Sequence, residues 1–176
     1  MRMLFEMKDL AQASLATVTR AGVLYVSDDK GHQWRAKIKQ WLKMRDEPKH
    51  ITDFLNELAL KYVQPTLIQI KKHLLHLVPL SDMAMTISLL NNLACMLKDN
   101  WLKATPEDAD WQIKLETLFV FAAVWGFGGA FDIKDGINYR QQFNDWWKDE
   151  FRTVKFPSRN SIYEVWLNEE ETEFIP

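Results

Sequence analysis

Several things are scarce in this sequence, and each scarcity excludes something. Cysteine occurs once in 176 residues, as Cys95. A lone thiol cannot form an internal disulfide framework and fits a reducing compartment. No apolar run reaches the roughly 18 residues of a membrane span. The opening stretch MRMLFEMKDLAQAS lacks the charged-then-apolar order of a secretory signal. Neither sign of charge dominates: 22 Lys and Arg stand against 24 Asp and Glu, for a net charge of −2. No global basic field therefore argues for nucleic acid. The expectation is a cytosolic protein with no nucleic-acid and no membrane partner. There is no GxxxxGK[ST] phosphate loop, no HExxH metal motif, no internal repeat and no low-complexity tract.

Apolar and aromatic residues are abundant. Hydrophobic residues make up 47% of the chain, with eight Trp and ten Phe, enough for a real core. The organising stretch runs from Glu116 to Phe156. Leu118 to Phe127 is apolar nearly all round, so a helix there must be buried by its neighbours. Gly126, Gly128 and Gly129 read as its break. A second helix follows, with Tyr139, Phe143, Trp146, Trp147 and Phe151 three and four apart as a wide aromatic stripe.

The other elements follow in order. Met1 to Met7 reads as a strand or short turn. Asp9 to Thr19 reads as a short helix burying Leu10, Leu15 and Val18. Val23 to Val26 reads as a strand buried on both faces. Trp34 to Lys43 is a helix with Trp34, Ile38, Trp41 and Leu42 on one face and Arg35, Lys37, Lys39 and Lys43 elsewhere. Ile51 to Leu77 is a long helical pattern that Pro65 should bend or split near Lys61 and Tyr62. Ser81 is the expected N-cap of a further helix. Its apolar positions are Met83, Ile87, Leu90, Ala94, Leu97 and Trp101. Ala104 to Asp110 is a polar loop. Ile162 to Leu167 and Thr172 to Ile175 read as a hairpin about the turn Asn168 to Glu171.

Candidate chemistry is sparse. His73 and His76 stand three apart, but a zinc site wants further ligands of suitable type, and histidines also suit a helix C-terminus. Gly126-Phe-Gly-Gly129 follows an apolar helix instead of preceding one with Lys and Ser or Thr, so it reads as a helix terminator that lets two helices pack closely. Trp146 and Trp147 are surrounded by Asp145, Asp149 and Glu150, which favours core packing over base stacking. Cys95 reads as a packed thiol, and Glu169 to Glu171 as a solvated turn. Arg20 stands at the end of a helix and just before a strand. It is either an ordinary surface cation or an arginine finger acting in trans on a neighbour's γ-phosphoryl group.

Several segments in register resemble the dynein heavy chain motor. Leu4-Phe5-Glu6, Asp9-Leu10 and Ala16-Thr-Val-Thr-Arg20-Ala-Gly-Val-Leu-Tyr-Val26 resemble "LFE..DL..A.PATVSRAG.LY". Phe119 to Gly129 resembles "FVFA.VWAFGG". Tyr139-Arg140, Phe143, Trp146-Trp147 and Glu150-Phe151 resemble "YR.EFS.WW..EF". Lys155-Phe-Pro-Ser158 with Ile162-Tyr163 resembles "KFPS.GT.FDYY". The likeness covers nearly the whole chain and is closest to axonemal dyneins. Leu15 departs from the family's Pro, and Glu164-Val165-Trp166 departs from its Asp-Tyr-Tyr.

The resemblance implies a mainly α protein: the helical small (lid) subdomain of a AAA+ module, with a short strand near 22–26 and a hairpin near 161–175. It implies the end of a large α/β subdomain at 1–30, the lid at 31–156 and the start of the next module at 157–176. The chain would be a piece of a longer polypeptide, as its abrupt start and its stop at Pro176 also suggest. It would relay nucleotide state between modules, with Arg20 as an arginine finger toward the preceding module. It would hold no cofactor itself, ATP or ADP and Mg²⁺ belonging to the parent motor. Partners would be adjacent AAA+ modules and, through the parent, the microtubule and other dynein subunits, in the cytoskeleton of a cilium or flagellum. From another class, a free-standing helical interaction or scaffold module is the alternative.

Overall fold

The computed structural model describes residues 3–7, 9–26, 31–97, 110–168 and 170–176. They form two units, Met1–Lys30 and Gly31–Pro176. In the first, α1 spans Leu15–Arg20, and the Ser14 side chain caps it by accepting from Thr17 N at 3.2 Å. This helix is shorter than the expected Asp9–Thr19, and Leu15 is 85% exposed instead of buried. The expected strand near 22–26 is not formed: Val23, Leu24, Tyr25 and Val26 are exposed and pair with no described strand. A short apolar run is stable as a strand only when neighbours take its backbone groups and cover both its faces.

The second unit is helical. α2 spans His32–Lys43, α3 Lys49–His73, α4 Asp82–Met96, α5 Trp111–Gly128 and α6 Tyr139–Glu150. In α2, Trp34 and Ile38 are buried as the pattern requires. α3 runs unbroken through Pro65, so the expected split is a correction. A proline removes one backbone donor and one carbonyl contact, and the buried residues on either side, Tyr62, Val63, Thr66 and Leu67, hold the helix together across that gap.

α4 begins where expected, with Ser81 Oγ accepting from Ala84 N at 3.1 Å. Its inward face is Met85, Thr86, Leu89, Leu90 and Leu93, turned from the expected Met83, Ile87 and Ala94. α4 is apolar enough that periodicity alone did not select a face; the approach of α5 did. Trp101 and the expected loop residues 104–109 lie outside the described residues. α5 is buried nearly all round, as its lack of a polar face demands. It fills the centre of the bundle, against α3 on one side and α4 on the other.

Two small antiparallel pairs complete the unit. β1 (Ile133–Lys134) pairs with β2 (Ile137–Asn138), a hairpin that the sequence reading missed. Its turn residues Asp135 and Gly136 both have positive φ, 53° and 79°, the requirement that makes Asp-Gly a type I′ signal. β3 (Trp166–Leu167) pairs with β4 (Phe174–Ile175). This is the expected hairpin, reduced to two residues per strand, because Ser161 to Glu164 forms a turn closed by Glu164 N to Ser161 O at 3.0 Å.

Candidate functional site

The strongest geometry lies where the arm 157–176 is fastened to α5 and α6. α6 exists because Asn138 caps it, its Oδ1 accepting from Gln141 N at 2.9 Å. The helix then turns Phe143, Asn144 and Trp147 inward. Asn144 Oδ1 accepts from the buried backbone N–H of Ile162 at 2.9 Å. Tyr163 O–H donates to the Gly128 carbonyl at 3.1 Å, while the Arg140 guanidinium lies 4.2 Å over the Tyr163 ring. Lys148 Nζ donates to the Asn160 carbonyl. Phe174 stacks on Phe156 at 4.5 Å and lies beside Phe121 of α5. Hydrogen bonds and rings together tie the arm to the bundle.

The glycines make this junction possible. A Cβ on Gly126 would lie 2.7 Å from Leu89 N and 2.8 Å from Leu89 Cα, so α4 and α5 touch backbone to backbone there. A Cβ on Gly128 would lie 2.3 Å from the Tyr163 hydroxyl and 2.7 Å from Phe143 Cε1. Gly126 is thus a close-packing residue inside α5 and not a break; the helix stops at Gly129, its C-cap. These glycines hold protein atoms, so they form no phosphate cradle.

A second tie links α3, α5 and the segment after α6. Glu116 Oε1 accepts from Tyr62 O–H and from Lys61 Nζ, each at 2.7 Å. Lys61 Nζ also donates to Thr153 Oγ1 at 2.8 Å. Burial foremost, then the bond to the Glu116 carboxylate, pushes the Tyr62 phenol well above its usual range. Burial does the same at Tyr163, partly countered by Arg140. Tyr62 continues into the aromatic centre, 4.7 Å from Phe151 and stacked with Trp147 at 6.1 Å.

The residues singled out by sequence fare differently. Arg20 is exposed at the last turn of α1. Trp147 is fully buried and Trp146 partly so, as core packing requires. His73 ends α3, whereas His76 lies beyond it, buried. His76 Nε2 donates to the Phe127 carbonyl at 3.0 Å, and its ring stacks on Phe131 at 4.2 Å. The two histidines therefore do not share a helix face. Among the described residues no group of three or more His, Cys, Asp or Glu could hold a metal. Cys95 is exposed, not packed, because the inward face of α4 is turned away from it. In the turn expected at Glu169–Glu171, Glu170 is exposed, Glu171 is half-buried at a φ of 60°, and Glu169 lies outside the described residues. Sequence reasoning missed Asn144 and Glu116, and it singled out His76 without its bond to the Phe127 carbonyl. Asn144 had one legible signal, a polar residue inside the inward arc of an aromatic stripe.

Comparison with known proteins gives this arrangement a family. The family model "Dynein heavy chain AAA lid domain" matches residues 55–176, which hold α4, α5, α6, the arm and most of α3. The chain is 36% identical over 187 residues to the dynein alpha chain of the flagellar outer arm of Chlamydomonas reinhardtii. It is 34% identical over 180 residues to human dynein axonemal heavy chain 9, and 32% over 177 residues to the ciliary dynein beta chain of Tripneustes gratilla. Each match covers 100% of this chain and 4% of the relative. The chain therefore spans a small part of the length of these relatives. No helix among the described residues is long and apolar enough to cross a membrane. A buried central helix, a glycine-mediated helix contact and an arm pinned by Asn144 and Tyr163 are how this chain builds its lid, and it belongs to the dynein heavy chain AAA lid domain family.

Proposed function

We propose that this chain serves as a transmission part of an axonemal dynein heavy chain, relaying nucleotide state between adjacent AAA+ modules without hydrolysing ATP itself. The observation that carries this reading is the fastening of the arm 157–176 to α5 and α6 through Asn144–Ile162 and Tyr163–Gly128. An arm held by buried hydrogen bonds moves with its bundle as a rigid body, the form in which such rings pass on a change of state. In this reading residues 1–30 end a large α/β subdomain, 31–156 form its lid and 157–176 open the next module. The run 22–26 would find its ladder partners in the remainder of that sheet.

Arg20 is the residue assigned a chemical role. Its charge is permanent, it is exposed, and it ends α1. It would supply positive charge to the nucleotide of the preceding module, stabilising the γ-phosphoryl oxygens during transfer. ATP or ADP and Mg²⁺ belong to the parent motor. The partners are the neighbouring modules of the same heavy chain and, through the whole motor, the microtubule and the other dynein subunits. The place of action is the axoneme of a cilium or flagellum, within the cytoplasmic cytoskeleton. Family membership favours this over a free-standing helical scaffold module.

The test is Arg20→Ala in an intact heavy chain carrying this segment, with steady-state ATP turnover measured beside nucleotide affinity. Loss of a trans arginine slows turnover by about 10³-fold or more with little change in affinity. Turnover at the parental rate removes Arg20 from the chemistry.

A further inference from the structure

α2 carries charge of one sign along its exposed side. From residue 32 to residue 45 the chain has Arg35, Lys37, Lys39, Lys43 and Arg45 and no Asp or Glu. Arg35, Lys39 and Lys43 recur at intervals of four, so they form one stripe on the helix. Lys39 and Lys43 are exposed, while the apolar side of the helix, Trp34 and Ile38, is buried. Like charges four apart on a helix repel and destabilise it. No acidic residue lies in the first turn of α2 to offset them. Among the described residues no carboxylate pairs with Lys39 or Lys43. Within the run Arg45 pairs with Glu47, and elsewhere in this unit Lys61 pairs with Glu116, Lys71 with Asp82 and Arg152 with Asp149, so Lys39 and Lys43 differ from these neighbours.

We infer that the outward face of α2 is a docking surface for an acidic polypeptide segment. Lys39 and Lys43 are separated by about 6 Å along the helix axis. Alternate residues of an extended chain are about 7 Å apart, so carboxylates at every second position of such a segment meet both ammonium groups. A nucleic acid fits less well. The protein as a whole is negative, the stripe is one short helix long, and Trp34 and Trp41 pack toward the core and give no stacking platform.

The probe is poly-L-glutamate, with a duplex DNA oligonucleotide of equal charge as the second arm, titrated against the full 176-residue chain. Binding of poly-L-glutamate at low salt is expected. It should fade near 0.3 M salt, where the screening length is about 6 Å. Lys39→Glu/Lys43→Glu should weaken it by about tenfold or more. Lys155→Glu/Arg159→Glu makes the same change in net charge at the start of the arm and just before it, and should leave binding within about twofold. Lys39→Glu alone places an acid between Arg35 and Lys43, so it should raise the melting temperature while weakening binding. That pairing separates a lost docking charge from a damaged fold. Equal loss in both double variants, binding unchanged in Lys39→Glu/Lys43→Glu, no binding at low salt, or tighter binding of the DNA would each overturn the assignment.

Discussion

Replacing Gly126 with alanine adds one methyl group at the closest approach of α4 to α5. Ordinary contact begins near 3.4 Å, and the new carbon would stand 2.7 Å from Leu89 N and 2.8 Å from Leu89 Cα. One helix must retreat by about 0.7 Å, since neither obstacle is the end of a movable side chain. Overpacking of this kind costs about 1–3 kcal/mol. Alanine returns up to about 1 kcal/mol through its better helix propensity. Because both close obstacles are backbone atoms, the steric cost falls in the upper part of its range, about 2–3 kcal/mol, for a net loss of about 1–2 kcal/mol. For a chain of this size the melting temperature should fall by roughly 2–8 °C. Urea unfolding followed by tryptophan fluorescence and by far-UV circular dichroism measures it, and coincidence of the two probes checks two-state behaviour. Leu89→Ala should not rescue the variant, because the nearest obstacles are backbone atoms. Gly128→Ala behaves differently: Tyr163→Phe removes its nearest obstacle, the hydroxyl 2.3 Å away, and should recover part of the loss. A Gly126→Ala variant as stable as the parent, or more stable, would refute the backbone contact between α4 and α5.

Three further outcomes are expected. Asn144→Ala leaves the buried N–H of Ile162 without its acceptor. Stability should drop by about 1–3 kcal/mol, with amide exchange at Ile162 accelerated; exchange as slow as in the parent would mean that the arm is held otherwise. The phenols of Tyr62 and Tyr163 are both held above their usual range, chiefly by burial. The unfolded chain releases those protons near pH 10 and the folded chain only at higher pH. Stability is therefore full below pH 10 and falls above it, by up to about 1.4 kcal/mol per pH unit for each phenol. Unfolding titrations between pH 9 and 12 should show the fall, shallower in Tyr163→Phe, and equal slopes would contradict the assignment. Arg20→Ala in an intact heavy chain should slow ATP turnover by orders of magnitude while leaving the melting of this chain by itself unchanged, since Arg20 is exposed at the end of α1.

Much of the helical framework was legible because burial imposes strong patterns. The apolar stretch of α5 could only be a central helix, and the stripe of α6 placed Phe143 and Trp147 inside. Ser81 marked the start of α4 through the shortage of acceptors at a helix N-terminus. The β1–β2 hairpin was equally legible in Asp135-Gly136 and was overlooked. The strand expected at 22–26 shows the limit of such reading. Its composition is that of a buried strand, but a strand is a relation between chains of residues, and no described segment pairs with it.

Sequence alone determined which segments are helices, that α5 lies at the centre, and the family through motifs in register over the chain. Those properties depend on local spacing and composition, which the order of residues carries directly. Only the tertiary structure decided which face of α4 turns inward, that Gly126 is a contact and not a stop, and that Asn144 and Tyr163 fasten the arm. It also brought Glu116 to Tyr62 and Lys61, 54 and 55 residues away along the chain. Each of these requires atoms from distant elements to arrive at one place. No local periodicity encodes that, because the deciding quantity is the shape of the partner surface.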